Sequence, residues 1–322
     1  MSIIGVGHYY PGEPVPNSFF EGNPQLGVTN EWIVEHTGVH QRHFAANPEE
    51  RIVEMGAKAS RLAMEDAGVS PDDVDLVIGT SATARPRTNP SSVGNNYMDI
   101  SLPLQSQLRL SSAFCFDVTA VACAGFLYAS AVARGLMATM KLRTALVVCA
   151  ENPQPILNPN YRNSVLFGAG AAATVMRMDG ASTSGIRDIV LKADSSYYNA
   201  FDIDDHDKMI MKGKLVGEMG PRFLVDAAKT VLSRNEVLID DIAWCIPHQG
   251  NINLLNSFAD EMQIPRDRVL LNLPQRGNTS SAGLPGTLSE YVRCGTVKPS
   301  ELLLGVSIGR GFSWGAMLFS YR

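Results

Sequence analysis

An internal repeat is the feature of this 322-residue sequence that most limits its fold. Residues 55–78 align without gaps with residues 223–246. In both stretches, a segment with helical spacing of its apolar residues leads through two aspartates into a short apolar run. A match over a whole helix–strand unit indicates a duplication. We therefore expect two α/β halves, residues 1–180 and 181–322, each with a mainly parallel buried sheet covered by helices.

The repeat extends to a turn of small residues that opens a helix in each half, within residues 116–137 and 277–292. Cys123 lies in the first of these turns, between Ala122 and Ala124. A cysteine at a strand-to-helix turn faces the positive end of the helix dipole, which lowers the thiol pKa and favours a nucleophilic thiolate. The alternative is a buried structural cysteine, and the spacing alone leaves both interpretations open.

Two polar residues of the second half occupy comparable strand-end positions. His248 follows the apolar run 243–246, and Asn278 lies in the second small-residue turn. Because sites in such folds lie at the carboxyl ends of the strands, we expect Cys123, His248 and Asn278 to converge. Taken singly, the histidine also suits a hydrogen-bonded structural role, and the asparagine also suits ordinary turn chemistry.

Composition excludes several classes of function. Lysine plus arginine number 27 against 32 aspartates plus glutamates, and a net charge of −5 argues against general nucleic-acid binding. The five cysteines are odd in number and none has CxxC spacing, which predicts neither a disulfide framework nor a zinc cluster. The first residues lack the pattern of a signal peptide, and no uncharged apolar run approaches the ~18 residues of a membrane span. We expect a soluble cytoplasmic protein that binds no metal.

Several short motifs, spread over the chain in a fixed order, resemble the thiolase-fold condensing enzymes and specifically the β-ketoacyl-ACP synthase III family. They are EWIV with TGV (residues 31–39), ACAGF (122–126), PHQ (247–249), GNTS (277–280) and GFSWG (311–315). The resemblance implies a thiolase-like fold in which duplicated halves form a five-layered αβαβα sandwich. It also implies a homodimer that uses thioester substrates and no separate cofactor.

The same resemblance implies roles for the converging residues. Cys123 carries the acyl group, while His248 and the Asn278 amide donate hydrogen bonds to a thioester enolate. The backbone N–H groups of Cys123 and Arg310 form the second oxyanion site. The implied reaction is a decarboxylating Claisen condensation of an acyl-CoA primer with malonyl thioester, in fatty-acid or related secondary-metabolite biosynthesis. The alternative is transfer of the acyl group from Cys123 to an oxygen, nitrogen or sulfur acceptor without decarboxylation.

Further residues are implied to bind the primer's carrier. Trp32 and Arg162 match residues that sandwich the adenine of CoA, and Asn251 matches a contact to the pantetheine arm. Without the resemblance, Trp32 also suits a core aromatic and Arg162 a solvated charge. Two positions depart from the family pattern: Arg310 stands where a glycine is usual, and Asn253 where a basic residue docks acyl carrier protein. The resemblance implies acyl carrier protein as a candidate partner, whereas Asn253 lacks the charge that would dock it.

The loop before Pro90 also departs from the family, since it is longer and carries Arg85, Arg87 and Asn89 where an apolar residue is usual. We expect these residues to make the far end of the acyl pocket polar. Such a pocket accepts a short or carboxylate-bearing acyl group, paired with an arginine of the partner subunit. The alternative is that both arginines are solvated.

Overall fold

The computed structural model describes residues 1–45, 51–84, 99–178 and 185–322. The strands are β1 Ser2–Tyr9, β2 Val15–Pro16, β3 Gln41–Arg42, β4 Leu76–Thr80, β5 Phe114–Asp117, β6 Thr144–Glu151, β7 Gly170–Arg177, β8 Ile186–Ala193, β9 Phe201–Ile203, β10 Met209–Met211, β11 Trp244–Pro247, β12 Leu302–Gly309 and β13 Ser313–Ser320. The helices are α1 Ser18–Glu21, α2 Asn30–Thr37, α3 Ile52–Ala67, α4 Ser101–Leu108, α5 Gly125–Met140, α6 Gly213–Arg234, α7 Ile252–Met262, α8 Leu273–Arg276 and α9 Gly283–Arg293.

Two large sheets share one topology. The first has the order β1-β7-β6-β4-β5, and the second, read from its other edge, has the order β8-β13-β12-β11. The first two pairings are antiparallel and the third is parallel in both sheets. A parallel bridge from Cys245 to Val269 stands where the first sheet has β5. The duplicated α/β architecture predicted from the repeat is therefore present.

The repeated aspartate pairs have the same local structure in both halves. Each forms a single helical turn before a strand, over Pro71–Asp73 and Ile239–Asp241. The Asp73 carboxylate accepts a hydrogen bond from the Ser70 backbone N–H at 2.9 Å. The Asp241 carboxylate does the same for Leu238 at 3.0 Å. An acidic residue here satisfies backbone N–H groups that the turn leaves unpaired, which explains why both copies carry it.

The layers follow from which helices cover which sheet. Helix α3 covers the outer face of the first sheet, and α6 covers the outer face of the second. Helices α5 and α9 pack between the two sheets. Apolar residues of α5, including Phe126, Leu127 and Met137, are fully buried in the core that joins both halves. The result is the predicted five-layered αβαβα arrangement.

Within the described residues, the stretch Ala122–Met140 is long and apolar enough to cross a membrane by length and composition alone. It comprises α5 and the turn before it. A central helix between two sheets is apolar on more than one face because it packs against both, so it satisfies the same test. Two predictions concern residues outside the described ranges. They are the boundary between the halves at residues 180 and 181, and the acyl-pocket role of Arg85, Arg87 and Asn89.

Candidate active site

Cys123 lies in a tight helical turn, Ala122–Ala124, between the loop after β5 and the start of α5. The backbone at Ala120 and at Ala122 is left-handed, with φ of 66° and 44°. This conformation is unfavourable for a residue with a Cβ, so surrounding contacts must hold it. One is the Ser307 hydroxyl, which donates a hydrogen bond to the Cys123 carbonyl at 2.6 Å. The nucleophile turn is thus fixed from the second half of the chain.

The last residue of β12, Gly309, packs directly against this turn. A Cβ on Gly309 would lie 2.0 Å from the Val121 carbonyl oxygen and 2.9 Å from the backbone nitrogens of Cys123 and Ala124. Real Cβ atoms do not approach backbone so closely, and only glycine permits this contact. The contact brings the peptide group that follows Gly309, which carries the Arg310 N–H, beside the N–H of Cys123. That these two N–H groups form one oxyanion site stays a prediction.

The turn at Cys123 has an equivalent in the second half. Ser280–Ala282 forms the same single turn before α9, and Ser280 has the same left-handed backbone, with φ of 50°. The two turns face each other across the site. The thiol of Cys123 lies 3.4 Å from the Ser280 hydroxyl, within hydrogen-bonding distance for sulfur. Ser280 was not among the predicted site residues, and its position in the repeated turn is the signal that could have identified it.

The resting state of the thiol differs from the prediction. Burial raises the pKa of Cys123 to about 12, against a smaller opposing effect of the Ser280 hydrogen bond, and the nearby Glu151 carboxylate raises it further. The predicted lowering by the helix dipole is therefore wrong, because removal from water disfavours the thiolate more than a helix terminus favours it. At neutral pH Cys123 is a thiol.

His248 follows β11 directly and is buried. Burial lowers the pKa of its imidazole to about 4, because the charged form loses its hydration. The side chain is therefore neutral at pH 7, with one ring nitrogen able to donate a hydrogen bond and the other able to accept one. The site at rest combines a neutral thiol with a neutral imidazole.

Asn278 is held in place on three sides. Its backbone N–H donates to the Leu166 carbonyl at 2.8 Å, and its carbonyl accepts from the Gly168 N–H at 3.1 Å. Its side-chain Oδ1 accepts a hydrogen bond from the Ser280 backbone N–H at 2.8 Å. Because the oxygen of the amide is engaged in this way, the Nδ2 group is the end presented to the site. Asn278 is thereby oriented as a hydrogen-bond donor.

Two cavities meet at these residues. The first, here called the Arg310 cavity, has a volume of about 480 Å³, and the second, the Trp32 cavity, has a volume of about 270 Å³. Both are lined by Cys123, Asn278, Phe167 and Phe201. His248 lines the Trp32 cavity, so the three predicted catalytic side chains face one connected space. The thiol stands at the junction, where a chain entering through one cavity can deliver an acyl group into the other.

The predicted carrier-binding residues lie at the Trp32 cavity. Asn251 lines it and caps α7, its Oδ1 accepting from the Leu254 N–H at 2.9 Å. Trp32 lines the cavity too, and the guanidinium carbon of Arg162 lies 4.8 Å from the indole centroid. Trp32 and Arg162 are therefore adjacent, as predicted, but they contact each other directly.

The Arg310 cavity contains a carboxylate that the sequence reasoning missed. Glu151 ends β6, is buried, and lines the cavity. It accepts hydrogen bonds from Ser281, Thr83, Ser81 and the Ala82 N–H, while burial raises its pKa. A charged residue at the end of the apolar run 145–150 is the signal that could have revealed it. Glu151 therefore ties the turn at Ser280–Ala282 to the loop after β4.

Comparison with known sequences agrees with the geometry. The family model described as 3-oxoacyl-[acyl-carrier-protein (ACP)] synthase III matches residues 116–195, and the model of the C-terminal part of that enzyme matches residues 232–321. The chain is 35% identical, over an alignment of 335 residues, to a β-ketoacyl-[acyl-carrier-protein] synthase III of Cereibacter sphaeroides. The alignment covers 99% of this chain and 98% of that protein. A synthase III of Ruegeria is also 35% identical, over 99% of this chain and 98% of its own.

Solved structures give the same result. The crystal structure of 3-oxoacyl-[acyl-carrier-protein] synthase III from Aquifex aeolicus superposes with a TM-score of 0.90 at 31% identity, covering 99% of both chains. The priming β-ketosynthase of the R1128 polyketide pathway superposes with a TM-score of 0.88 at 29% identity, covering 99% of this chain and 96% of its own. These likenesses confirm the predicted thiolase-like fold over the whole chain. The chain belongs to the 3-oxoacyl-[acyl-carrier-protein] synthase III family.

Proposed function

We propose that this enzyme joins an acyl-thioester primer, such as an acyl-CoA, to a malonyl thioester by a decarboxylating Claisen condensation. The observation that carries the proposal is the meeting of Cys123, His248 and Asn278 at one connected space, with Asn278 oriented as a donor. A nucleophile alone would suffice for acyl transfer. Two further neutral donors are what an enolate oxygen requires.

In the first step the sulfur of Cys123 attacks the carbonyl carbon of the primer thioester. The carbon–sulfur bond to the carrier breaks, and the thiol proton passes to the departing carrier sulfur. His248 stays neutral throughout and keeps its N–H for the second step. One thioester replaces another, so the exchange costs little free energy, and the acyl group now lies on Cys123.

In the second step the malonyl thioester loses CO2, and negative charge develops on its thioester oxygen. His248 and the Asn278 Nδ2 group donate hydrogen bonds to this oxygen. Preorganised donors of this kind are typically worth roughly 3–4 kcal/mol each in the transition state. A neutral histidine suits the task, since its N–H stabilises the enolate without protonating it.

The carbanion then attacks the acyl carbonyl on Cys123. The resulting oxyanion faces the backbone N–H groups of Cys123 and Arg310, and the packing of Gly309 against the Cys123 turn supports this pairing. Collapse of this intermediate expels the Cys123 thiolate, which regains a proton, and releases a 3-oxoacyl thioester. The named relatives are synthases, which favours this reaction over the alternative of acyl transfer to another acceptor. The chemistry uses no metal or prosthetic group.

A homodimer forms part of the proposal. Among the residues that the structure describes, strand β5 lies at the edge of the first sheet and pairs only with β4. Its Phe114 side chain is 37% exposed, and Phe116 beside it is half-buried. An edge strand with exposed aromatics is suited to pair with a second copy of itself. We further infer a cytoplasmic enzyme of fatty-acid or related biosynthesis.

The test is incubation of the protein with an acyl-CoA and malonyl-ACP or malonyl-CoA, with CO2 release and the mass on Cys123 both followed. We expect acylation of Cys123 and CO2 release that depends on the primer. Cys123→Ala removes the acyl adduct, while the matched variant Cys294→Ala, at an exposed thiol, retains it. Acylation of Cys123 without malonyl-dependent CO2 release would support simple acyl transfer, and a wild-type protein that is never acylated contradicts both functions.

A further inference from the structure

A chain of hydrogen bonds links the loop of His248 to the loop of Asn278. Gln249, the residue after His248, is buried, and its Oε1 accepts hydrogen bonds from two successive backbone N–H groups at the start of α8, at 3.0 and 3.1 Å. Helix α8 is a single turn that ends at Arg276, two residues before Asn278. The short segment 272–278 therefore connects the two side chains that are proposed to stabilise the enolate.

Arg276 holds the end of α8 against α9. Its Nε and Nη2 each donate a hydrogen bond at 3.3 Å to the carboxylate of Glu290, one to each oxygen. The two side chains are only 24% and 23% exposed. A guanidinium and a carboxylate joined by two hydrogen bonds fix each other in both distance and orientation. The pair therefore fixes the direction in which the chain leaves α8 and reaches Asn278.

The third nitrogen of the same guanidinium contacts a histidine from the first half of the chain. Nη1 of Arg276 lies 2.9 Å from Nε2 of His43, and Nδ1 of His43 lies 3.0 Å from the Pro11 carbonyl oxygen. Because a guanidinium can only donate, Nε2 accepts this hydrogen bond and Nδ1 carries the ring hydrogen. Burial lowers the pKa of His43, so the imidazole is neutral at pH 7 and suits this pairing. Arg276 thus ties α8 to both halves of the chain.

Glu290 also holds the start of α8. Its Oε1 accepts a further hydrogen bond from Nδ2 of Asn272 at 3.1 Å, so one carboxylate binds both ends of this turn. The Asn272 amide donates to the Tyr10 hydroxyl at 3.0 Å as well. Connected hydrogen bonds of this kind can hold a geometry more firmly than the same bonds would singly. The described walls of the two cavities contain none of these side chains, so they can act on the reaction only through the residues that they position.

The nucleophile turn depends on different contacts. The Cys123 carbonyl accepts the hydrogen bond of Ser307, and the turn packs against Gly309, both of which belong to β12. Loosening α8 therefore leaves the thiol in place.

We propose that the pair of Glu290 and Arg276 positions the two enolate donors for the second step of the reaction. The pair holds Asn278 and His248 in the relative placement that one enolate oxygen requires. The proposal rests on the proposed function, because it concerns the donors that assist decarboxylation. Loss of the pair slows decarboxylation of the malonyl thioester and leaves acylation of Cys123 unchanged.

The test follows the two half-reactions separately in Glu290→Ala, with urea unfolding to show that the variant is folded. Single-turnover acylation of Cys123 by butyryl-CoA, read by intact mass, should keep the wild-type rate. CO2 release is then measured with malonyl-ACP or malonyl-CoA, whichever the wild type uses. Complete loss of one oxyanion donor costs ~10²–10³-fold, so misplaced donors should lower kcat about tenfold while KM stays within about threefold. A wild-type kcat for CO2 release, or an equal loss in both half-reactions, overturns the proposal.

Two variants of Arg276 sharpen the comparison. Arg276→Met should lower kcat as Glu290→Ala does, and the double variant should be no slower than either single variant, because both changes break one pair. Two losses that multiply in the double variant contradict this. Arg276→Lys keeps the charge beside Glu290 but lacks the planar fork, so it should lower kcat about threefold. It decides the matter if the other variants do not fold, since an unchanged kcat in Arg276→Lys overturns the proposal.

The matched control is Glu261→Ala on α7, which removes a helix glutamate from an exposed ion pair with Lys229. Both half-reactions should keep their wild-type rates, and a loss of kcat equal to that of Glu290→Ala overturns the proposal. If the acylated wild type releases no CO2 from either malonyl thioester, the proposed condensation itself fails. A folded Glu290→Ala protein with wild-type kcat refutes only the positioning role.

Discussion

Gly309→Ala is expected to disable the nucleophile turn while leaving Cys123, His248 and Asn278 intact. The added Cβ would lie 2.0 Å from the Val121 carbonyl oxygen. Carbon and oxygen that are not bonded need about 3 Å, so β12 and the turn must separate by about 1 Å. That separation moves Cys123, whose backbone N–H lies 2.9 Å from the same Cβ.

The size of the effect follows from that displacement. A misplacement of about 1 Å in a reacting group can lower a rate by ~10²-fold. Overpacking of this kind typically also lowers the free energy of unfolding by 1–3 kcal/mol. We therefore expect Gly309→Ala to acylate Cys123 about 10²-fold more slowly than the wild type, in a protein that still folds. The assay is single-turnover acylation followed by intact mass, with chemical denaturation to measure stability.

The matched control is Gly135→Ala, in the exposed middle of α5. A Cβ at Gly135 has no neighbour within 4 Å, and helix propensity favours alanine over glycine by roughly 0.5–1 kcal/mol. We expect unchanged acylation and a small gain in stability. A folded Gly309→Ala protein that acylates Cys123 at the wild-type rate would refute the argument that the Gly309 contact positions the turn.

Three further predictions concern the catalytic side chains. Asn278→Ala should slow malonyl decarboxylation by ~10²–10³-fold, while the rate of Cys123 acylation stays within about threefold of the wild-type rate. The exposed control Asn253→Ala should change neither of these two rates. The second prediction concerns alkylation of Cys123 by iodoacetamide in a Cys294→Ala background, followed by peptide mapping. Because the pKa of Cys123 is about 12, the rate should rise about tenfold per pH unit from pH 7 to 9. A plateau of the rate near pH 8 would contradict this pKa. The folded pKa of His248, about 4, lies below its unfolded value near 6.5, so the stabilising effect of its neutral form is present above pH 6.5 and lost as pH falls towards 4. Relative to His248→Gln, the free energy of unfolding of the wild type, measured in urea, should fall by up to about 3 kcal/mol between pH 6.5 and pH 4. Parallel pH profiles for the two proteins would contradict the lowered pKa of His248.

The repeat predicted more of the fold than any single motif. It required the same helix–aspartate–strand unit twice, and both copies have the same turn and the same carboxylate-to-backbone hydrogen bond. It also paired the turn at Cys123 with the turn at Ser280, and the two face each other across the site. Periodicity and turn chemistry predict only local structure. Because the sequence is duplicated, they also predict which distant segments of the chain adopt equivalent structures.

The pKa of Cys123 could not be predicted from local sequence, because two effects of opposite sign compete. A helix terminus favours a charge by typically 0.3–1 kcal/mol, and by up to ~2 kcal/mol in favourable geometry. The rise of the pKa from 9.0 to about 12 corresponds to roughly 4 kcal/mol in the other direction. Burial therefore dominates, and burial depends on packing between the halves, which the turn itself does not encode.

The contact between Trp32 and Arg162 escaped prediction for a related reason. The residues are 130 positions apart, and the motifs that contain them specify only which residue types occur. The contact of 4.8 Å between the guanidinium carbon and the indole centroid depends on the Leu26 and Gly27 carbonyls, which accept hydrogen bonds from Arg162. The loop carrying Gly27 has no motif that would indicate this role.

The neutral resting state of both the Cys123 thiol and the His248 imidazole accounts for the order of the proposed steps. A permanent thiolate at Cys123 would react with any small electrophile that reached it, whereas a neutral thiol reacts when a bound thioester lies against it and the departing carrier sulfur can take the thiol proton. Burial also protects the second step. An imidazolium at position 248 would protonate the malonyl carbanion before it met the acyl group, and the condensation would end as simple decarboxylation. Because the pKa of His248 is lowered to about 4, the imidazole is neutral at pH 7. The N–H of a neutral imidazole is too weak an acid for that transfer and stabilises the enolate by hydrogen bonding alone.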